Sequence, residues 1–379
     1  MNNLKTHLIC LECPNGCNLN LDWKADHLVA VSGNECAKGI VFVSHTLKKK
    51  HNAHIVVEAA SKHFSKEVLS QIVSSWDLVL SRLHYDIMIQ GSPERSVFRV
   101  VIEDDKKDRY LLEEIAPKTL KTKQKIVQTL DFLFNKNLRY IQPFLKNKNN
   151  DCIISHQNKL WQMTPFIKGA SLDRREYMYD YWRGDLLADF LIELKKKTQD
   201  GMLLKDEKQF SIKKYVYRLL REIKAHQKDI KREVDAVVCF LEKEFMAVHD
   251  ELPVCFCHGD YHPMNIVWGD NKIEYVIDWE FLGNKPEIYD VCNLIGCVGV
   301  EHPSSLYEGL IIPFIKKIRD SKIFSDISFQ YLVEFIVALR FAWLSEWLRR
   351  KDHQMIELEL AYMNFLIEHK EDLEKVWGI

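Results

Sequence analysis

Alternating apolar and polar positions predict a small antiparallel sheet in the first half of the chain. Residues 85–89, 97–102 and 110–115 alternate in this way, and the polar segments 90–96 and 104–108 join them. Short alternating runs bounded by Gly, Pro, Ser and Asp are typical of strands linked by hairpins. We therefore expect a three-stranded meander, with a helix before it.

Helical periodicity follows this meander. Apolar side chains recur at helical spacing in residues 121–137, and after two further strands, the second at 159–166, helical patterns dominate. We expect helices at 184–198, within 211–246, and in three segments between about 305 and 377. The hydrophobic pattern thus predicts an α+β protein, with an antiparallel sheet and helix first and a mainly helical part after them.

The segment 255–280, CFCHGDYHPMNIVWGDNKIEYVIDWE, interrupts the helical part. Its apolar runs at 266–268 and 275–277 bracket a polar tip, which predicts a β-hairpin. Such a hairpin carries Asn265 at one mouth and Asp278 at the other, so that their oxygen atoms can reach one ion.

Asp260, Asn265 and Asp278 have the order and spacing of a phosphoryl-transfer site. In such sites one acid accepts a hydroxyl proton, while the amide and the second acid hold magnesium on nucleotide phosphates. His258, Asp260 and Asn265 also match the H-x-D-x-x-x-x-N spacing of the protein-kinase catalytic loop. The structural alternative is a simple turn followed by a strand-end cap.

The whole block resembles the Brenner-type motif of the aminoglycoside phosphotransferase and choline kinase families, which are small-molecule kinases with a bilobal, protein-kinase-like fold. The resemblance covers most of residues 80–300. It implies that Asp260 is the catalytic base, that Asp278 and Asn265 bind Mg²⁺, and that ATP is the phosphate donor. It also implies that Asp290 anchors the catalytic loop by hydrogen bonds; the alternative role for Asp290 is a helix N-cap.

The sequence does not favour a second interpretation of this segment, as part of a metal-dependent phosphoesterase. Gly259, Asp260 and His262 also fit the GDxH fragment of metal-dependent phosphoesterases, whose two-metal sites need further His and Asp clusters. The later Gly-Asn pair is followed by Lys285 rather than by His. Hydrolysis at a two-metal site is therefore not expected.

The predicted nucleotide side departs from the family at one position. The family usually carries Lys or Arg on its third strand, where this chain has Glu113, and a carboxylate near phosphates costs free energy unless a cation lies beside it. We hypothesise that Glu113 orients Lys123 and that Lys123, with Arg95 and Ser96 of the 90–96 loop, binds the phosphates. A solvated surface lysine is the alternative for Lys123.

Four cysteines near the start of the chain predict a metal site. Cys10, Cys13, Cys17 and Cys36 form the pattern C-x2-C-x3-C-x18-C, which suits Zn²⁺ or an iron–sulfur cluster. The surrounding sequence resembles the cysteine-rich opening of molybdopterin oxidoreductases, which implies a [4Fe-4S] cluster. A small core of reduced cysteines is the alternative.

Composition narrows the possible partners and location. The chain has 53 basic and 54 acidic side chains, which gives no electrostatic signature for nucleic acid. Its most apolar long stretch, 331–348, contains charged residues, so no membrane span is expected. Because a signal-peptide pattern is not visible, the cytoplasm is the expected location. The oligomeric state is not specified by these patterns.

These observations predict an ATP- and Mg²⁺-dependent kinase that phosphorylates a hydroxyl group of a small molecule, such as an amino sugar, a choline-like alcohol or homoserine. The alternative is a pseudokinase that binds a nucleotide or metabolite and senses redox state or metal. One helix face, with Arg340, Trp343, Glu346 and Trp347, either lines the acceptor pocket or belongs to the core. The predicted organisation is a cysteine-rich module, a basic linker, a sheet-containing lobe and a helical lobe, at residues 1–46, 47–60, 61–166 and 167–379.

Overall fold

The computed structural model describes residues 3–9, 18–24, 27–32, 64–87, 89, 96–174, 176–200, 205, 208–227 and 229–379. The chain divides into two compact units. The first comprises Met1–Lys121 and Phe144–Phe166, and the second comprises Thr122–Pro143 and Ile167–Ile379.

The first unit begins with a small antiparallel sheet. Its strands are β1 (Asn3–Ile9), β2 (Asn18–Lys24) and β3 (His27–Ser32), in the order β1-β2-β3. The apolar side chains of Leu19 and Leu21 on β2 are buried. The four cysteines for which the sequence predicts a metal site lie outside the described residues.

A five-stranded antiparallel sheet forms the main part of the first unit, and one helix covers a face of it. The elements are α1 (Lys66–Ser74), β4 (Leu80–His84), β5 (Ser96–Asp104), β6 (Arg109–Ile115), β7 (Ile153–His156) and β8 (Lys159–Pro165). The strand order is β4-β5-β6-β8-β7. Apolar side chains from α1 and from one face of the sheet form a core that includes Leu69, Ile72, Val100, Leu112 and Trp161. Since side chains alternate along a strand, the residues between these core positions point to the other face.

The first strand of the predicted meander is wrong in position. The sequence predicts it at residues 85–89, but β4 ends at His84 and Tyr85 lies in a turn. Leu80 and His84 are both buried and pair with β5, so burial and pairing fix the strand earlier in the chain. The predictions for β5, β6 and β8 are confirmed.

The second unit is mainly helical. Its helices are α2 (Leu120–Asn135), α3 (Tyr181–Lys197), α4 (Ile212–His226), α5 (Lys231–Lys243), α6 (Phe245–Val248), α7 (Tyr289–Glu301), α8 (Ile311–Asp320), α9 (Asp326–Gln330), α10 (Leu332–Arg350), α11 (His353–Glu368) and α12 (Lys370–Trp377). Helix α3 packs against α8, while α10 contacts α4, α7 and α11. Within the described residues, no helix is both long enough and apolar enough to cross a bilayer.

Two antiparallel strand pairs lie within this helical unit. Strand β9 (Val254–Cys257) pairs with β12 (Gly283–Pro286), and β10 (Ile266–Gly269) pairs with β11 (Lys272–Val276), both antiparallel. The hairpin that the sequence predicts between Asn265 and Asp278 is confirmed. The α+β class, with an antiparallel sheet in one unit and helices in the other, is confirmed as well.

Candidate active site

The turn after β9 requires a glycine. Gly259 adopts a left-handed backbone conformation with φ of 87°, which L-residues other than Gly rarely adopt. A Cβ atom at this position would overlap the carbonyl oxygen of Phe281. The turn places His258 and Asp260, one on each side of Gly259, at the end of β9.

Asp290 fixes this turn through main-chain hydrogen bonds. Its Oδ2 accepts from the amide nitrogen of His258 at 2.7 Å, and its Oδ1 accepts from that of Gly259 at 2.8 Å. Burial raises the pKa of Asp290 to about 6, although both hydrogen bonds favour the ionised form. The expected anchoring role is confirmed, whereas the N-cap alternative is wrong because Ile288 is the N-cap of α7.

His258 is a neutral structural link. Its Nδ1 accepts a hydrogen bond from the amide of Asp260 at 3.2 Å, so its Nε2 carries the proton and donates to the carbonyl of Ile277 at 3.0 Å. Burial lowers the pKa of His258 to about 4. The ring also lies 4.4 Å from that of Trp279, centroid to centroid. The imidazole therefore joins the turn to the end of the hairpin.

Asp260 and Asn265 are in direct contact. The Nδ2 of Asn265 donates to the carbonyl oxygen of Asp260 at 2.8 Å and to its Oδ2 at 3.0 Å. Burial raises the pKa of Asp260, but interactions with His262, His258 and Asn265 outweigh it, and the pKa lies below the ordinary aspartate value. Asp260 is thus a partly exposed, ionised carboxylate at neutral pH, with 20% of its side chain accessible.

Ile277, the residue before Asp278, forms hydrogen bonds through both its amide and its carbonyl group. The amide of Ile277 donates to the carbonyl of Asn265 at 2.9 Å, and the carbonyl of Ile277 accepts from His258. Asp278 then turns the chain with φ of 62°, and its side chain is exposed. These hydrogen bonds tie Ile277, the residue before Asp278, to both Asn265 and His258.

Oxygen donors at this site suit Mg²⁺. The Nδ2 of Asn265 faces Asp260, which leaves its Oδ1 as the atom that can coordinate a metal. Among the described residues, no group of three or more His, Cys, Asp or Glu side chains forms a metal site. A two-ligand protein site still fits Mg²⁺, because this ion keeps several water molecules and is held largely by substrate phosphates.

Lys123 is buried rather than solvated. Its Nζ lies 2.6 Å from Oε1 of Glu280, and the two side chains are 5% and 11% exposed. The surface-lysine alternative is therefore wrong. The sequence assigned no role to Glu280, which lies two residues after Asp278. The motif does not indicate that Glu280 pairs with Lys123. The predicted coupling of Lys123 to Glu113 stays a prediction.

On the first unit, Glu113 has partners that the sequence did not predict. Arg99 donates to its Oε1 from Nε at 2.9 Å and from Nη2 at 2.7 Å, and Gln162 donates to Oε2. Ser96 is buried at the start of β5, while Arg95 lies outside the described residues. The missed partners lie opposite Glu113 on neighbouring strands, and strand alternation alone does not give that register.

The helix face proposed as an acceptor surface belongs in part to the core. Arg340 is 3% exposed and forms a buried ion pair with Glu359, which also accepts a hydrogen bond from Nε1 of Trp347. Trp343 and Trp347 stack on each other and are half-buried. The core interpretation therefore holds for Arg340.

Comparisons with solved structures find proteins of similar fold. The fold is similar to that of an aminoglycoside phosphotransferase from Alicyclobacillus acidocaldarius, with a TM-score of 0.55, 15% identity, and coverage of 80% of this chain and 96% of that one. It is also similar to the GDP and kanamycin complex of APH(2")-IIia (TM-score 0.57, 15% identity, coverage 81% and 99%). A third similar structure is the macrolide 2'-phosphotransferase MphH from Brachybacterium faecium (TM-score 0.54, 13% identity, coverage 79% and 97%).

These neighbours share the kinase-like fold. No curated protein matches the sequence significantly. The model of the phosphotransferase enzyme family (APH) matches residues 90–312, which is more than half of the chain and includes the whole segment 255–280. The chain belongs to the phosphotransferase enzyme family.

Proposed function

We propose that this protein is an ATP- and Mg²⁺-dependent kinase that transfers the γ-phosphoryl group to a hydroxyl of a small molecule. The observation that carries the proposal is the hydrogen-bonded catalytic segment. An ionised, partly exposed Asp260 is held by Asn265 and His258, and Asp278 follows a peptide fixed by the same two residues.

In this mechanism Asp260 orients the acceptor hydroxyl and receives its proton. The hydroxyl oxygen forms a bond to the γ-phosphorus while the bond from that phosphorus to the oxygen of the leaving diphosphate breaks. Because the pKa of Asp260 is low, the carboxylate is ready to accept a hydrogen bond at neutral pH and releases the proton to solvent afterwards. Bound Mg²⁺ would neutralise charge on the phosphates, and Asp278 with Oδ1 of Asn265 would hold it.

Related structures support the substrate class. A similar protein binds GDP and kanamycin, and another is named as a macrolide phosphotransferase. The identity between these chains and this one is low, so we propose the class of acceptor, a hydroxyl-bearing small molecule, and not a particular antibiotic.

The pseudokinase alternative was based on the acid at Glu113 and on the single glycine, Gly91, of the 90–96 loop. That charge is compensated, because Arg99 and Gln162 both donate to it. Retention of Asp260, Asn265 and Asp278 favours catalysis. The role of the four N-terminal cysteines as ligands of Zn²⁺ or an iron–sulfur cluster stays a prediction, which metal analysis of anaerobically purified protein can test.

The proposed function is tested by incubating the purified protein with ATP, Mg²⁺ and pooled hydroxyl compounds, including amino sugars, choline-like alcohols and homoserine. Mass spectrometry should detect an acceptor that gains one phosphoryl group in step with ADP formation. Omission of Mg²⁺ should abolish the product. ATP binding without any phosphorylated product across a broad library would favour the pseudokinase instead.

A further inference from the structure

A buried lysine of β12, Lys285, packs against the catalytic turn, residues 258–260. Lys285 is 6% exposed. A Cβ atom at Gly259 would lie 2.7 Å from Cε of Lys285, so the end of the lysine side chain lies on this glycine. The amide of Gly259 donates to Oδ1 of Asp290 at 2.8 Å. The ammonium group, one bond beyond Cε, and the Asp290 carboxylate are therefore neighbours of the same residue of the turn.

Two aromatic rings hold the ammonium group in place. Nζ of Lys285 lies 4.6 Å from the ring centroid of Phe210 and 4.8 Å from that of Tyr289. The two rings meet edge to face, with their centroids 5.7 Å apart. The amide of Phe210 also donates to the carbonyl of Asn284, the residue before Lys285, at 2.9 Å. Because a cation is attracted to the face of an aromatic ring, these contacts fix the ammonium beside the turn.

Lys285 and Asp290 each favour the charged form of the other. Burial lowers the pKa of Lys285, and the neighbouring Cys257 and Asp290 oppose this shift. Burial raises the pKa of Asp290, and the hydrogen bonds from Gly259 and His258 and the charge of Lys285 oppose this shift. Desolvation favours the neutral form of each group, whereas a nearby opposite charge favours the ionised form. The lysine and the aspartate therefore stabilise each other as ions.

We propose that Lys285 is a positioning residue for phosphoryl transfer: its ammonium keeps the Asp290 carboxylate ionised, and that carboxylate holds the turn that carries Asp260. This inference rests on the proposed kinase function, to which it adds a residue that acts through Asp290. Protonation of Asp290 places a hydrogen on an oxygen that accepts a main-chain N–H, which weakens one of its two hydrogen bonds to the turn. Lys285 thereby lowers the pH at which the turn loses its anchor.

Other titratable groups also surround the Asp290 carboxylate. They are, from β9, the turn and α7, Cys257, His258, Asp260, Tyr261, Tyr289 and Cys292. Burial raises the pKa of the two thiols and the two phenols and lowers that of the imidazole, so these five groups are neutral near pH 7. The charge of Asp260 raises the pKa of Asp290, and Lys125 on α2 lowers that of Lys285. Lys285 is thus the cation in this set that opposes the charge of Asp260.

The test observes Asp290 through the amide of Gly259, which donates to it. The dipeptide His-Gly occurs once in the sequence, so labelling with carbonyl-¹³C histidine and ¹⁵N glycine isolates this amide in NMR spectra of the full-length protein. In the wild type its ¹⁵N shift should titrate with a midpoint at about pH 6. Lys285→Met keeps the length of the side chain but removes its charge, so the midpoint should rise by about one pH unit.

Lys370→Met is the matched control, because it removes an ammonium that pairs with another buried acid, Glu334. Its Gly259 midpoint should equal that of the wild type. Thermal unfolding at pH 8 identifies a variant that does not fold, and Lys285→Gln then replaces Lys285→Met. With the acceptor found in the library screen, the kcat of Lys285→Met at pH 6.5 relative to pH 8 should be about threefold below the wild-type ratio, with KM unchanged.

The NMR titration needs no acceptor, so the inference and the kinase proposal can fail separately. A midpoint in Lys285→Met equal to that of the wild type, or an equal rise in Lys370→Met, would overturn the role of Lys285. A shifted midpoint with an unchanged kcat profile would overturn its role in positioning the turn. A wild type that phosphorylates no compound would overturn the kinase proposal, while the midpoints still decide whether Lys285 keeps Asp290 ionised. A rise in Lys285→Met alone, in both midpoint and kcat profile, supports the assignment.

Discussion

The catalytic loop and the sheet of the first unit hold their buried carboxylates in different ways. Both oxygens of Asp290 accept hydrogen bonds from main-chain amides, those of His258 and Gly259. Both oxygens of Glu113 accept instead from side chains, those of Arg99 and Gln162. Main-chain donors cannot be exchanged by substitution, whereas side-chain donors can. The position of the acid is therefore fixed by the backbone in the loop and by the identity of neighbouring side chains in the sheet.

The largest expected effect is at Gly259. Replacing it by Ala forces a left-handed φ on a residue with a Cβ and places that atom on the Phe281 carbonyl. Backbone strain and overpacking together should lower the free energy of unfolding by about 4 kcal/mol. Urea unfolding measures this loss.

Gly378 provides the control for that substitution. It has a similar φ of 68°, but a Cβ there would meet only the flexible side chain of Arg319, at 2.9 Å. Gly378→Ala should therefore cost about 1–2 kcal/mol, the strain alone. Equal losses at both glycines would show that the close contact in the catalytic loop is unimportant.

The next effect is a pH dependence that comes from His258. Its pKa is about 4 in the folded protein and near 6.5 when unfolded, so the unfolded chain binds more protons between these values. The stability contributed by neutral His258 is present above pH 6.5 and is lost as the pH falls to 4. The stability advantage of wild type over His258→Gln should shrink by about 3 kcal/mol across this window.

Unfolding free energies at pH 7 and pH 4 test this prediction. Comparison with the His258→Gln variant removes, to first order, the opposing contribution of Asp290, whose raised pKa favours the folded state at acid pH. His226→Gln, at an exposed histidine, should keep the wild-type pH profile. A pH-independent difference between wild type and His258→Gln would contradict the buried neutral imidazole.

A smaller loss is expected at Asp290. In Asp290→Asn one oxygen can still accept, but the amide nitrogen faces a main-chain donor, which leaves one buried N–H without a partner. This should cost about 1–3 kcal/mol and reduce turnover through displacement of the turn. Asp326→Asn, in the exposed first turn of α9, is the control and should change neither quantity. An Asp290→Asn variant that is as stable as the wild type would contradict the claim that main-chain hydrogen bonds to Asp290 stabilise the loop.

The smallest effect is expected at Glu113. Glu113→Gln keeps one acceptor for Arg99, and the amide of Gln162 can rotate by half a turn to accept from the new side chain. The free energy of unfolding should therefore fall by about 0.5–1.5 kcal/mol, less than for Asp290→Asn measured in parallel. A larger loss of unfolding free energy in Glu113→Gln than in Asp290→Asn would contradict this ranking.

The sequence predicts the hairpin between Asn265 and Asp278 correctly because its contacts are local. Asp260, Asn265 and Asp278 lie within nineteen positions on a turn and a hairpin, so their spacing carries the geometry. The partners of Glu113 and Lys123 are not local. Arg99 and Gln162 depend on strand register, and Glu280 is 157 residues from Lys123. Periodicity gives the face of a strand or helix, but it does not give the residue opposite.

The displaced first strand has a similar cause. Residues 85–89 alternate as a strand does, but Leu80 and His84 are the positions that pair with β5 and are buried. His84 is polar, and its burial is stabilised by a hydrogen bond to Glu103 that a hydropathy pattern does not register. Long-range pairing outweighed the local pattern.

The central claim is that Asp260 is the proton acceptor in phosphoryl transfer, and replacing it by Asn tests this most directly. The measurement is kcat for phosphorylation of the acceptor found in the library screen, with ADP affinity measured on the same preparation. Asp270→Asn, at the exposed tip of the hairpin, is the control. We expect Asp260→Asn to lower kcat by about 10²- to 10⁴-fold with ADP affinity nearly unchanged, and Asp270→Asn to match the wild type. An Asp260→Asn enzyme that transfers phosphate at the wild-type rate would contradict the account.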